Sequence, residues 1–209
     1  FAVAGGPVGL FAITERLRPG AQAAVAGFRA AGLPVSLLSG DTEERVDRIA
    51  AEFGIAEVRS GATPADKIAC LEALRREGHR ALMVGDGLND TAALAAAHVS
   101  MAPASAADAG RAAADFVFLR EDLEAVTLAH GLARATAGIV RQNFGFAIVY
   151  NCVAIPLAIA GFVTPLIAAL AMSASSILVI ANALRLNLAP GARARRAVEH
   201  PEPATAVPA

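Results

Sequence analysis

Charge is missing from this chain in one long block. Residues 142 to 184, the 43 positions between Arg141 and Arg185, hold no Asp, Glu, Lys, Arg or His. A core helix pair in a soluble domain is a poor explanation for so long an uncharged run. One spanning helix needs only about 20 apolar residues, so two membrane passes are expected, with Gly161-Phe162-Val163-Thr164-Pro165 as the turn between them. Cysteine is scarce as well. Cys70 and Cys152 lie in unlike settings and make no zinc-ligand spacing, and a cytoplasmic domain gives no reason to expect a disulfide. Net charge is close to nil, at −1, which argues against nucleic acid as a partner. Lysine is almost absent: of 18 basic residues only Lys67 is a lysine. No signal peptide is visible at the start, and Phe1 is not a methionine, so a segment of a longer protein is expected.

What is present is apolar and arranged in blocks. Hydrophobic residues make up 56% and mean hydropathy is +0.52, high for a soluble domain. Residues 1–141 carry 14 basic and 17 acidic side chains, whereas the tail from Arg185 carries four Arg and two Glu. Arg134 and Arg141 precede the uncharged block, and Arg185, Arg193, Arg195 and Arg196 follow it. The preference for positive charge on the inner face places residues 1–141 and 185–209 in the cytoplasm and the Gly161–Pro165 loop outside. Residues 1–124 alternate short β-rich runs with helical patterns. Strands are expected at Gly9–Thr14, Val35–Leu38, Glu57–Arg59, Arg80–Val84, Val99–Ala102 and Phe116–Leu119. Between them, helices are expected at Ala21–Ala31, Glu43–Phe53, Thr63–Glu77, Asn89–Ala97 and Ala106–Ala114. Strands separated by helices predict an α/β fold with a parallel, doubly wound sheet. A helical pattern from Asp122 runs on through Arg141, so residues 125–141 are expected to connect that domain to two transmembrane helices at 142–184. The Ala-, Pro- and Arg-rich stretch 185–209 reads as a disordered tail.

Three polar clusters stand at strand ends or helix starts in the α/β region. Ser39-Gly40-Asp41 closes the strand Val35–Leu38; the glycine lets backbone N–H groups approach an anion and the hydroxyl can donate to a phosphoryl oxygen. A simple helix cap explains the same three residues. Lys67 falls in the first turn of a helix, where a cation opposes the helix dipole, so a ligand anion accounts for it better than helix stability does. A compact ammonium suits a single phosphoryl oxygen. The third cluster follows the apolar run Ala81–Val84: Gly85-Asp86-Gly87-Leu88-Asn89-Asp90. Ligands bind at the carboxyl ends of strands in open α/β sheets. Two carboxylates and an amide there suit Mg²⁺ accompanying a phosphate, although Asn and Asp also serve as ordinary caps.

Polar residues inside the uncharged block are functional suspects. The first half carries Tyr150-Asn151 and the second Met172-Ser173-Ala174-Ser175-Ser176. Asn151 lies ~15 Å beyond Arg141 and Met172 ~20 Å before Arg185 at helical rise, both near mid-membrane. Met172 and Ser176 share one helical face. Pro156 frees the carbonyl of Cys152 at the same depth. Thioether, hydroxyl, phenol and amide make a soft, neutral set. Zn²⁺ or Ca²⁺ would want carboxylate or thiolate, whereas Cu⁺ tolerates thioether ligation. Helix packing is the competing explanation, above all for Ser173 and Ser175.

Ser-Gly-Asp, then Lys, then Gly-Asp-Gly-x-Asn-Asp, in that order, resembles the haloacid dehalogenase superfamily. Followed by a membrane hairpin, it resembles the phosphorylation domain of P-type ATPases. The resemblance implies ATP as the phosphoryl donor, with Ser39, Gly40 and Asp41 near the phosphoryl group, Lys67 neutralising it, and Asp86 binding Mg²⁺ with Asn89 and Asp90 completing the shell. It also implies a nucleophilic Asp in Asp-Lys-Thr-Gly-Thr, which this sequence does not contain. That motif and a Cys-Pro-Cys helix are expected in an upstream part of the same pump. One departure is Asn89-Asp90-Thr91-Ala92-Ala93-Leu94, where the family usually has Asn-Asp-Ala-Pro-Ala-Leu; a modest change at the helix start is expected. Tyr150-Asn151 and Met172-Ser173-x-x-Ser176 look like the last two helices of copper-transporting members, and the surrounding wording is similar to the bacterial branch tied to cytochrome oxidase maturation. The resemblance implies Cu⁺ or Ag⁺ as cargo, held by Tyr150, Asn151, Met172, Ser173 and Ser176, and a multi-pass protein of the bacterial inner membrane. For Cys152 a packing role is expected. The alternatives are a membrane-anchored phosphatase of the dehalogenase type and a non-catalytic metal-binding membrane module.

Overall fold

The computed structural model describes residues 17–86 and 88–188. The strand expected at Gly9–Thr14, Gly87 and the tail beyond Leu188 lie outside the described residues. The chain divides into two compact units, Phe1–Thr127 and Leu128–Ala209.

The first unit alternates helix and strand from α1 (Ala21–Ala30) through β1 (Ser36–Leu38), α2 (Glu43–Phe53), β2 (Glu57–Arg59), α3 (Pro64–Arg76), β3 (Leu82–Val84), α4 (Thr91–Ala96), β4 (Val99–Pro103) and α5 (Asp108–Ala113) to β5 (Phe116–Phe118). Local chemistry sets the ends. Glu43 and Glu44 occupy the first turn of α2, where carboxylates complement the helix dipole, and Gly54, at φ +66, lets the chain leave it. Helix α3 opens with a reciprocal capping box: Thr63 Oγ1 accepts from the Asp66 N–H and the Asp66 carboxylate accepts from the Thr63 N–H, with Pro64 at the first helical position.

All strand pairs are parallel, and among the described residues they form two sheets rather than one. Strand β1 pairs with β2, and β3-β4-β5 make the other sheet, with Met83 opposite Ser100 and Met101 opposite Phe116. Helix α3, which follows β2, packs against α4, which follows β3. The two sheets are thus related through their helices instead of a shared backbone ladder. The core of the three-stranded half is Leu94, Ala102 and Ala106, with Met83, Ala113 and Ala114 against it. Small alanines let α4 and α5 lie close to β4. Strands β4 and β5 are also tied by side chains: the Asp115 carboxylate accepts from the Ser100 N–H at 2.8 Å and from the Ser100 hydroxyl at 3.0 Å.

The helix expected at Asn89–Ala97 instead begins as a 3₁₀ turn, Leu88–Asp90, before α4. Thr91, standing where the related motif has alanine, donates its hydroxyl to the Leu88 carbonyl at 2.9 Å and closes that turn.

Helix α6 runs unbroken from Glu124 to Ile159. After a turn at Gly161 (φ +79), Thr164 caps α7 (Pro165–Leu184), accepting the Ile167 N–H at 3.3 Å. Both helices are long and apolar enough to cross a membrane. Pro156 lies inside α6 without ending it.

Candidate functional site

The carboxyl end of β3 assembles the first cluster. Gly85 is required by close approach: a Cβ there would stand 2.9 Å from the Asp90 Cβ. Its N–H donates to the Met101 carbonyl of β4 at 3.2 Å, carrying the sheet spacing one residue past the strand. With no side chain at Gly85, the 3₁₀ turn folds Asp90 back beside the strand end. There Asp90 Oδ1 accepts from Lys67 Nζ at 2.5 Å, with side-chain exposures of only 14% and 10%. An anion does answer Lys67, as its place in the first turn of α3 demanded, but in this structure it is Asp90. Asn89 and Asp86 are exposed.

Asp86 has a partner that sequence reading missed. Arg18 Nη2 donates to Asp86 Oδ2 at 2.7 Å, and both terminal nitrogens of Arg18 lie 3.3 Å from the Ser105 hydroxyl. The signal for Arg18 was positional. It follows the run Gly9–Thr14, as Ser39 and Asp86 follow theirs, and it precedes the turn residues Pro19-Gly20.

The Ser39 cluster forms a loop braced against the end of β2. The Ser39 N–H donates to the Arg59 carbonyl at 2.9 Å, the Ala62 N–H to the Ser39 carbonyl at 2.8 Å, and the Gly61 N–H to the Asp41 carbonyl at 2.9 Å. Ser39 Oγ accepts from the Asp41 N–H at 3.2 Å, which leaves its own proton to donate elsewhere. Asp41 is 3.7 Å from Arg45, one helical turn on. Gly40 is exposed, and a Cβ there would meet only the Ala62 carbonyl at 3.4 Å. Packing therefore does not demand glycine at this position. Below the loop, Thr63 hydrogen bonds hold the Asp66 carboxyl below the usual carboxylate range, with the nearby Arg59 charge adding to them.

The residues at the end of β3 fit Mg²⁺. Among the described residues no three His, Cys, Asp or Glu side chains gather into a metal cage. Mg²⁺ does not need one: it is commonly held by one or two carboxylates together with substrate phosphate and water. Asp86 offers an accessible carboxylate that already sits against a cation, Arg18, and Asn89 and Asp90 flank it.

On the helices the suspects divide by face. Ala171, Ser175, Val179 and Asn182 form the half-buried to buried row of α7, and Tyr150 is half-buried on α6. Met172, Ser173, Ser176 and Asn151 lie off those rows and are exposed. Asn151 Nδ2 donates to the Ala147 carbonyl at 2.9 Å and the Ser176 hydroxyl to the Met172 carbonyl at 3.0 Å, each one turn back on its own helix. Cys152, expected to pack, is exposed instead, on a face of α6 away from half-buried Tyr150. A further polar pair joins the helices: Asn182 Nδ2 donates to Asn143 Oδ1 at 2.9 Å, and Arg185 Nη1 donates to Asn182 Oδ1 at 3.1 Å. The pair was legible in principle, since Asn143 and Asn182 lie at nearly equal distances either side of the Gly161–Pro165 turn.

A haloacid dehalogenase-like hydrolase family model matches residues 2–98. The chain is 54% identical over 177 residues to the nitrogen fixation protein FixI of Rhizobium leguminosarum bv. viciae, covering 85% of this chain and 23% of the relative. It is 42% identical over 184 residues to a copper-exporting P-type ATPase of Mycobacterium tuberculosis, covering 88% of this chain and 24% of that protein. Among solved structures, a zinc-transporting PIB-type ATPase in its E2·Pi state superposes with a TM-score of 0.77 at 32% identity, over 82% of this chain and 28% of that one. The chain thus spans about a quarter of the curated relatives it matches. The parallel α/β unit and the two membrane-length helices have a common explanation: the chain is similar to the carboxyl-terminal part of P-type ATPases.

Proposed function

We propose that the chain supplies the phosphate-handling site and the last two membrane helices of an ATP-driven Cu⁺ export pump of the bacterial inner membrane. One observation carries this reading. The chain that builds the Asp86, Asp90 and Lys67 cluster continues through a single helix, Glu124–Ile159, into the segment bearing Tyr150 and Asn151.

In the α/β unit, the Ser39 hydroxyl and the backbone N–H groups around Gly40 and Asp41 hold phosphoryl oxygens. Lys67 supplies the positive charge at the far side, its ammonium held in place by Asp90. Preorganised charge of this kind is the principal catalytic contribution in phosphoryl transfer, where there is little covalent work for side chains to do. Mg²⁺, when bound at Asp86 with Asn89 and Asp90, would neutralise charge on the phosphoryl group. In the membrane, Met172 offers a thioether, Asn151 and Tyr150 hard neutral oxygens, and Ser173 and Ser176 hydroxyls. A thioether with no carboxylate favours a soft monovalent ion, Cu⁺ or Ag⁺, over a hard divalent one. Residues 1–141 and the tail after Arg185 then face the cytoplasm, in keeping with the arginines that flank the helix pair.

The test separates the two ends of the chain. In the complete pump, Met172→Ala and Asn151→Ala should each lose copper-stimulated ATP turnover by about tenfold or more and still accept phosphate from inorganic phosphate. The back reaction uses only the α/β site, whereas the forward step needs bound metal. Loss of phosphorylation from inorganic phosphate in the Met172 variant would refute the division of labour.

A further inference from the structure

Arg18 is a charged group beside the proposed phosphate site that the proposed chemistry leaves without a task. Its guanidinium lies 2.7 Å from Asp86 Oδ2, across 68 residues of sequence, and its side chain is 30% exposed against 55% for Asp86. Such a pair is too open to matter greatly for stability. Its position is what distinguishes it, because it covers an oxygen of the carboxylate best placed to take a divalent cation. Like charges cannot share that oxygen without mutual repulsion.

The backbone on which Arg18 stands is pinned. The Pro19 carbonyl accepts from the Leu123 N–H at 3.0 Å. Gly20, at φ +72, lies so close to the start of α6 that a Cβ would stand 3.0 Å from Glu124 Cγ and 3.3 Å from its N. A guanidinium that lets go of Asp86 therefore stays in the neighbourhood, and the Ser105 hydroxyl, already 3.3 Å from both its terminal nitrogens, remains as its partner. The five N–H donors of arginine and its permanent charge suit a group that changes partners without losing its proton.

We propose that Arg18 is a resident counter-ion for Asp86: it holds the carboxylate in the cation-free state and yields it when a divalent cation binds, keeping its hydrogen bonds to Ser105. This rests on the reading of Asp86 as the magnesium carboxylate. Arg18 is a positioning residue in this scheme. It keeps the carboxylate aimed and charge-balanced between turnovers, and it weakens cation binding by competing for the same oxygen.

The experiment is a binding measurement on the full chain in detergent, with Mn²⁺ as the probe and free ion counted by its paramagnetic resonance signal. Arg18→Gln should tighten Mn²⁺ binding about threefold to tenfold, the range expected for removing one partly screened charge. Arg18→Lys, which keeps the charge, should stay within about twofold of the unaltered chain. The tightening should vanish when Asp86→Asn is added. On the unaltered chain, Mg²⁺ should shift the Arg18 side-chain nitrogen resonances with the same midpoint as binding, a readout that needs no variant to fold. Unchanged or weaker Mn²⁺ affinity in Arg18→Gln, together with lost binding in Asp86→Asn, would overturn the counter-ion role alone. Full binding in Asp86→Asn would overturn the magnesium reading and this inference with it.

Discussion

In residues 17–127 two ion pairs join groups far apart along the chain: Arg18 meets Asp86 at 2.7 Å and Lys67 meets Asp90 at 2.5 Å. In residues 128–188 Asn151 and Ser176 turn to carbonyls four residues back on their own helices, at 2.9 and 3.0 Å. The contrast follows from solvent. Where a fold brings distant segments together and shields them from water, as at Lys67 and Asp90, an opposite charge is the partner a carboxylate needs. In a helix surrounded by hydrocarbon, the helix's own carbonyls are the nearest acceptors for a polar side chain. In the proposed scheme the α/β unit would meet its ligand with Lys67 and Asp86 already held by partners. The helix pair presents Met172 and Asn151 outward, at positions suited to completion by neighbouring membrane helices.

The largest expected effect lies at Lys67. Lys67→Ala in the complete pump should cut phosphoenzyme turnover about 10²-fold or more, as should Asp86→Ala, while Arg75→Ala on the same helix should stay within about twofold. Lys67→Ala should also destabilise the α/β unit by about 3 kcal/mol or more, because Asp90 is left nearly buried without its cation. The double change Lys67→Met with Asp90→Leu should recover much of that stability and none of the turnover. Recovered turnover would mean the pair is structural only; phosphoenzyme decay and thermal melting decide between them.

Next is the helix pair. With any amino-terminal metal-binding region deleted, Met172→Ala should lose bound copper, and Ser175→Ala, on the half-buried row of α7, should keep it. Equal stoichiometry in the two variants would return Met172 to a packing role.

A smaller effect is expected where the helices do resemble the α/β unit, at the Asn143–Asn182–Arg185 chain. Asn182→Ala should lower the stability of the helix pair by about 0.6–1.5 kcal/mol, the scale of hydrogen bonds between membrane helices, measured by unfolding in mixed micelles. No change would indicate that Asn143 simply turns to its own helix, as Asn151 does.

The smallest is a pH effect at the start of α3. Asp66 has its pKa lowered by the Thr63 hydrogen bonds, so it contributes stability above its unfolded value, which is lost as pH falls through the lowered folded value. Asp66→Asn should flatten the acid limb of amide protection at Lys67 by lowering protection at neutral pH toward its value in acid, where little should change. An unaltered acid limb would remove Asp66 from the account.

Much of this was legible before any coordinates. β2 falls at Glu57–Arg59 as read, β1 and β5 differ by one residue, and β4 reaches one residue further, to Pro103. Short runs poor in helix signals, set between helices capped by Thr63 and stopped by Gly54, leave the backbone few choices. The length of the uncharged block likewise dictates two apolar helices. Pairings were not legible. Asp90 meeting Lys67 depends on a 3₁₀ turn that exists because Gly85 has no side chain and Thr91 bonds to Leu88. Arg18 meeting Asp86 depends on Pro19 being held by Leu123. The outward faces of Met172 and Asn151 depend on which row of α7 the Asn143–Asn182 bond turns inward. Element type and the inventory of chemical groups follow from local propensity and hydrophobic patterning, which act within a few residues and so can be read along the chain. Which group answers which is decided by contacts across 23 and 68 residues, and these come into existence only when the whole unit packs.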